Sequence, residues 1–389
     1  MPLARSEIQT GAGSIPSVHG TNRRPVKPPW SGDEQMVKKG RNVPALIDVA
    51  KRAGVGAATV SRVINGGRNV SSKTLAAVQR AIQELGYHPS QAARTLKGAK
   101  TKTIGLIVPS VADPFFSVAA AAIEDVARAH DTLVLLATSE NLPERECEQV
   151  ITLIQRRVDG LILVPSDAAD SDLLKHAGFP VMCFDRPFSR NAISTVLSDN
   201  YGGARMATEH LVACGCERIL CMAGDGKLFT SQKRVSGYRD VVKAAGLPYL
   251  AELQVSDEES VRSALMRHFD TRDQVDGIFC IKNALTVHTY QVLQEMGITI
   301  PKSVSLIGFD DFELADALQP PITVIRQPVT GIARRAAEML FEAMQIGQQR
   351  QSTVTMKVEL VHRGSCCAPG IRSQRSAQQS SGRRRVAKG

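Results

Sequence analysis

Aromatic residues are scarce in this chain, 4% of 389 positions with a single tryptophan, and no apolar run approaches the roughly 18 residues that span a bilayer. A membrane-spanning helix is therefore not expected. The first thirty residues hold Arg5, Glu7 and scattered Pro and Gly without the apolar core of a secretory signal, which predicts a cytoplasmic protein. Cysteine is sparse as well. Cys147, Cys183, Cys214, Cys216, Cys221, Cys280, Cys366 and Cys367 sit mostly in apolar stretches, the pattern of small buried thiols rather than of a disulfide framework. Enzyme fingerprints are missing too: there is no Gly-x-x-x-x-Gly-Lys-Ser/Thr loop, no Gly-x-Gly-x-x-Gly turn, no Gly-x-Ser-x-Gly elbow and no His-Glu-x-x-His. No catalytic residue and no cofactor is predicted. His210, Cys214 and Cys216 are the one metal-like group before the tail. They lack a second pair at zinc spacing, and Gly215 is expected to end the helix, so they read as an exposed histidine beside two packed thiols.

What is present is charge of uneven sign. Residues 1–100 carry 16 Lys and Arg against 5 Asp and Glu, residues 101–365 carry 26 against 33, and residues 366–389 carry 6 against none. A basic N-terminal part joined to an acidic body suggests that one part binds a polyanion and the other does something else. With 43% hydrophobic residues, the length leaves room for two or three domains.

Residues 1–42 mix Gly, Ser, Pro, Lys and Arg without apolar periodicity and read as a disordered leader; residues 366–389 read as a disordered basic tail without leucine heptads. Residues 43–89 are compact and helical. Leu46, Val49 and Ala50 recur at helical spacing until Ala53-Gly54-Val55 interrupts them, and Thr59, Val60, Val63 and Ile64 resume it. Two short helices around a Gly-containing turn are a helix-turn-helix signature. A third helix carries Leu75, Val78, Ile82 and Leu85, with Ser72 as N-cap and Gly86 just past its end. From residue 101 to 365, β-branched runs at 103–108, 132–136, 160–164, 181–184, 218–222, 277–281 and 305–308 alternate with helical stretches such as 200–212 and 335–344. That alternation predicts an α/β body of two doubly wound parallel-sheet subdomains with a ligand cleft beyond the strand ends.

The run from Leu46-Ile47-Asp48-Val49-Ala50 through Thr59-Val60-Ser61-Arg62-Val63-Ile64-Asn65 resembles the DNA-binding headpiece of the lactose-repressor (LacI/GalR) family of bacterial transcription regulators. The likeness continues through Leu85-Gly86-Tyr87-His88-Pro89 and Ala92-Ala93-Arg94-Thr95-Leu96, then along the body to about Arg363. The resemblance implies a helix-turn-helix headpiece, a hinge helix within residues 90–100 and a periplasmic-binding-protein-like body that dimerises. On double-stranded operator DNA, Ala57, Ala58, Thr59, Ser61, Arg62, Asn65 and Ser71 would meet the major groove or its phosphates, Arg62 forking onto guanine. Ala93 and Leu96 would belong to the hinge helix, Leu96 wedging into the minor groove. The sequence departs from the family pattern at Gly56, where Ser or Thr is usual, and at Ala57 and Ala58, which offer only methyl contacts.

In the body, the resemblance implies a small carbohydrate-like effector held between the subdomains. Asp113, Phe115 and Phe116 would follow the first strand, with the aromatics stacking on a sugar ring. Asp185, Arg186 and Arg234 would come from one half or the crossover, and Lys282, Asp310 and Gln327 from the other. Lys282, where sugar-binding relatives often have Asn, tilts the ligand towards a sugar acid or sugar phosphate. The function these features predict is a sequence-specific, effector-controlled repressor acting at the nucleoid. The alternatives are a carbohydrate-acting enzyme with an appended DNA-binding domain, or a transport-type binding protein.

Overall fold

The computed structural model describes residues 44–64, 70–88, 100–166, 173–174, 177–188, 193–224, 226–271, 273–347 and 351–366. The leader, Asn65, the hinge segment 90–96 with Ala93 and Leu96, and the tail beyond Cys366 lie outside the described residues. Contacts divide the chain into Met1–Arg94 and Thr95–Gly389.

In the first unit, α1 (Leu46–Ala53), α2 (Ala57–Ile64) and α3 (Ser72–Leu85) enclose Val49, Val60 and Val78, all fully buried, with Tyr87 closing the core. The punctuation is local. Asp48 Oδ2 accepts from the Ala45 N–H at 2.9 Å. Gly54 turns left-handed at φ 68° so that the chain can leave α1, and Gly86 does the same after α3 at φ 59°. The N-cap of α3 is Ser71 rather than the expected Ser72: Ser71 has the extended backbone a cap needs, and its Oγ accepts from Thr74 N–H at 3.2 Å.

The second unit has two lobes. The first holds β1 (Thr103–Val108), α4 (Pro114–Ala129), β2 (Leu133–Thr138), α5 (Pro143–Gln155), β3 (Gly160–Leu163), β4 (Val181–Phe184) and β5 (Thr195–Ser198). The chain then crosses to α6 (Asn200–Ala213), β6 (Ile219–Met222), α7 (Phe229–Ala244), β7 (Leu250–Glu252), α8 (Glu258–Phe269), β8 (Gly277–Cys280), α9 (Asn283–Glu295), β9 (Ser305–Phe309) and β10 (Thr323–Arg326). It returns for α10 (Val329–Ile346) and β11 (Thr353–Met356), and crosses a last time to β12 (Glu359–Val361). Strand orders are β11-β5-β4-β3-β1-β2 and β12-β10-β9-β8-β6-β7, parallel throughout except that β12 runs antiparallel to β10. The two lobes thus share one winding order, and chain connections pass between them three times.

Sheet interiors explain which strands were visible in sequence. Of the seven anticipated runs, six are β1, β3, β4, β6, β8 and β9, buried on both faces and shifted by at most one residue at either end; the seventh, 132–136, is the partly exposed edge strand β2 (Leu133–Thr138). Five short strands were not anticipated. β5, β7, β10, β11 and β12 are three or four residues long, and all of them contain polar or charged residues that pairing, not periodicity, places in a sheet. Helix α10 begins six residues before the expected 335, and its Ala336 and Leu340 pack into the first lobe against Ile104 and Ile162. Gly237 lets α7 lie close on α6, since a Cβ there would come 2.5 Å from the Tyr201 carbonyl oxygen.

Two expectations need correcting. His210 is half-buried rather than exposed: its Nε2 lies 3.7 Å from Cys214 Sγ and its ring meets that of His362 at 5.1 Å. Burial and the neighbouring His362 hold its pKa below the ordinary value. Cys366, assigned by sequence to the tail, packs in the second lobe with its thiol on the Leu306 carbonyl at 3.3 Å, because the extended chain after β12 continues over that core. Among the described residues no group of three His, Cys, Asp or Glu could hold a metal ion, and no helix is long and apolar enough to cross a membrane.

Candidate functional site

Two regions carry the predicted site residues. In the first unit, α2 buries Val60 and packs Ala57, Val63 and Ile64 against the small core, leaving Ala58 and Arg62 exposed and Thr59 and Ser61 half-buried. Ala57 is accordingly part of the helix packing as well as a surface methyl. Ser71 is exposed but its hydroxyl is occupied in capping α3, which reduces what it has left for a phosphate. Among the described residues of this unit Lys51, Arg52, Arg62, Lys73 and Arg80 stand against Asp48 and Glu84, and Glu84 is itself paired with Arg52 at 2.6 Å. The surface is therefore basic, as a polyanion site requires.

In the second unit, Asp113, Phe115, Phe116, Asp185, Arg186, Arg234, Lys282, Asp310 and Gln327 all line one cleft of about 810 Å³, between strand ends of the two lobes. From the first lobe, Asp113 caps α4 by accepting from Phe115 N–H at 3.0 Å, so one carboxylate oxygen is committed to the fold. Burial raises its pKa, and Asp310 repels it further while Lys282 and Arg234 attract it. Phe115 is half-exposed and parallel to Phe184, with ring centroids 6.5 Å apart, whereas Phe116 is 6% exposed and belongs mainly to the core. Of Phe115 and Phe116, the former is the ring available for stacking. Asp185 and Arg186 pair at 3.1 Å, and Arg186 Nη1 also donates to Asn141 Oδ1 at 2.7 Å. Burial pushes the Asp185 carboxyl up despite the two guanidiniums near it. Behind Arg186 lies Glu146, 3% exposed, which accepts from Ser166 N–H at 2.6 Å; burial raises its pKa as well.

The second lobe answers with a similar device. β9 ends Phe309-Asp310 as β4 ends Phe184-Asp185, and both aspartates take positive φ, 76° and 66°. Each N–H donates to the next strand, Asp310 to Ile325 O at 2.9 Å and Asp185 to Val196 O at 3.0 Å. Aspartate tolerates this left-handed turn better than most residues, and the turn re-aims the carboxylate into the cleft. Arg234 stands over Phe309 at 3.7 Å from its centroid and donates to Asn200 Oδ1 at 2.7 Å, to Ile281 O at 2.6 Å and to Asp310 Oδ2 at 3.4 Å. It belongs to α7 of the second lobe, not to the first-lobe side on which the sequence grouped it. Gln327 Nε2 donates to Asp310 Oδ1, while its buried Oε1 has no partner among the described residues. Lys282 is exposed at the N-cap of α9; its carbonyl accepts from Thr286 Oγ1 at 3.1 Å, while its ammonium makes no hydrogen bond or ion pair among the described residues.

Sequence reading missed Asn141, Thr230, Ser231 and His288, which line the same cleft. Thr230 and Ser231 were within reach, being one turn before Arg234 on the same face of α7. Asn141 follows β2 in a left-handed turn at φ 58°, and His288 lies on α9 without any motif to mark it.

Residues 45–90 match the model of bacterial regulatory proteins of the lacI family, and residues 208–366 match a periplasmic binding protein-like domain. The ribose operon repressor of Halalkalibacterium halodurans is 33% identical over 77% of this chain and 89% of that protein. The chain belongs to the lacI family. Among solved structures, this lacI-family regulator is similar to a CelR–cellobiose complex at 30% identity and TM-score 0.62, covering 83% of this chain and 99% of that one. It is also similar to the lac repressor dimer bound to operator and an anti-inducer, at 26% identity and TM-score 0.74, covering 84% and 99%. Members of this family regulate transcription by binding DNA, and a helix-turn-helix unit joined to a two-lobed α/β body is the architecture found here.

Glu146 gives the site a measurable pH signature. Unfolded, it sheds its proton in the ordinary carboxylate range; folded, it keeps that proton to higher pH. Across that window the native state binds more protons, so this group's contribution falls as pH rises. Glu146→Gln retains an acceptor for Ser166 N–H and should gain stability relative to the wild type as pH rises above the ordinary carboxylate range in urea unfolding. A difference that stays flat with pH would show that Glu146 titrates as an ordinary surface carboxylate.

Proposed function

We propose that this regulator is a repressor which binds a pseudo-palindromic operator as a homodimer, with its operator affinity set by a small carbohydrate held in the cleft. The carrying observation is that all nine residues picked out by sequence come together on one cleft, at strand ends of two lobes. Asp185 with Arg186 and Asp310 with Arg234 are paired there, and among the described residues lining the cleft no hydroxyl is hydrogen-bonded to a histidine or carboxylate that also lines it, which disfavours the enzyme alternative. A regulator of this kind works at the chromosome, in the cytoplasm and at the nucleoid.

For DNA, Arg62 is the exposed guanidinium on α2 and the natural reader of guanine O6 and N7. Arg62→Ala should cost about 1–3 kcal/mol of operator binding and relax preference at one base pair per half-site. Equal loss on every DNA sequence would make it a phosphate contact instead.

For the effector, charge argues for a neutral ligand. Asp113, Asp185 and Asp310 balance Arg186, Arg234 and Lys282, and both guanidiniums already face carboxylates. This favours a neutral sugar over the sugar acid or sugar phosphate to which Lys282 alone would point. In thermal-shift titrations, ribose or cellobiose should stabilise the protein more than gluconate or glucose 6-phosphate, with about 2.7 kcal/mol at a hundredfold excess over Kd. Lys282→Asn should change neutral-sugar affinity by no more than about threefold; a tenfold loss of anion binding would restore the anionic reading.

For assembly, edge strand β2 leaves Leu133 63% and Leu136 47% exposed, next to α4 with Val118 at 46%. An unpaired apolar edge of this kind supports self-association. Sedimentation at micromolar concentration should give a dimer, and Leu133→Glu with Leu136→Glu a monomer. A tetramer that is lost on deleting residues 366–389 would refute the dimer.

A further inference from the structure

Asn200 does not line the cleft, yet it is only 3% exposed and is bonded to a residue that does. It is the first residue of α6, two positions after β5 ends at Ser198, and so occupies the first of the three passages between the lobes. Both ends of its amide are used. Oδ1 accepts from Arg234 Nε at 2.7 Å, and Nδ2 donates to the Ser198 carbonyl at 3.2 Å. The adjoining Asp199 fastens the same joint: its N–H donates to Met356 O at 2.9 Å, where the last passage begins, and its carboxylate caps α6 by accepting from Gly202 N–H at 2.8 Å. On the other side, Arg234 reaches Ile281 O and Asp310 at the cleft ends of β8 and β9. A continuous chain of hydrogen bonds therefore runs from the cleft, through Arg234 and Asn200, to the end of a strand in the opposite lobe.

We propose that Asn200 is the positioning residue that couples occupancy of the cleft to the angle between the lobes; this rests on the effector-controlled reading above. Asn200 meets the ligand site through Arg234, and its own backbone carries the effect to the strand end at Ser198. With its acceptor in place, the guanidinium is held at Nε, and a ligand drawing on the Nη groups displaces the passage at Ser198 and Asn200. Without it, a buried N–H is left unpaired, the guanidinium turns, and ligand binding is absorbed locally.

The test uses the full chain, DNA selected by the wild-type protein from a random library, and ribose and cellobiose as probes. Operator affinity is measured by anisotropy with and without saturating sugar, and the ratio of the two is the coupling. Asn200→Ala removes the acceptor for Arg234, whereas Asn200→Asp keeps that acceptor and gives up only the Nδ2–H donated to Ser198. Asn200→Ala should shrink the ratio by about tenfold, or to unity where the wild-type ratio is smaller, with sugar-free operator affinity within about threefold of wild type. Asn200→Asp should retain most of the response. If Asn200→Ala does not fold, Asn200→Ser makes the same comparison, since the serine hydroxyl is too short to reach Arg234 Nε. A full response in Asn200→Ala or Asn200→Ser overturns this proposal alone, and so does equal loss in Asn200→Ala and Asn200→Asp, the mark of a merely structural role. If neither sugar binds, or if sugar binds without altering operator affinity in the wild type, the functional reading falls and this proposal with it.

Discussion

A guanidinium on a residue only 6% exposed must be met by acceptors, and the arrangement of the body follows from meeting that demand at Arg234. Its partners come from the lobe passage, the end of β8 and the end of β9, with the Phe309 ring beneath. Four separate parts of the chain are thereby held in register at the cleft. Removing one partner of such a cluster costs about 3–5 kcal/mol, because the remaining charges stay buried, so the same residue serves as both strut and ligand-facing group.

The first lobe builds the matching wall with the same parts. A strand ends Phe-Asp, the aspartate turns left-handed, its N–H joins the next strand, and an arginine neutralises it. Because the lobes share one winding order, the two Phe-Asp ends occupy corresponding strands and point into one space. The outcome is a cleft rich in oriented donors and acceptors but balanced in formal charge. Such a surface suits hydroxyl groups, which donate and accept at once, better than it suits an ion.

The headpiece is stabilised differently. Its core rests on Val49, Val60, Val78 and Tyr87, and its limits are set by Asp48, Gly54, Ser71 and Gly86 acting within a few residues of themselves. A unit with so small a core has little spare stability, and hydrogen-bonded caps of roughly 1 kcal/mol each matter to it. The exposed Arg52–Glu84 pair between α1 and α3 adds little, since solvent screens it.

Sequence alone determined the features whose causes are local. Helical spacing and left-handed glycines place α1 to α3, and β-branched runs buried on both faces mark β1, β3, β4, β6, β8 and β9. The family-like motifs selected nine cleft residues that share one cavity. Tertiary structure decided what depends on neighbours distant in sequence. The edge and passage strands β5, β7, β10, β11 and β12 exist because another strand pairs with them. It also decided which candidates remain available to a ligand. Asp113 is half spent as a cap, Phe116 is taken by the core, Ser71 caps a helix, and Arg186 and Arg234 are already paired. Residue type and spacing specify what a side chain is able to do, while only the groups packed around it determine which of its donors, acceptors and faces are still free.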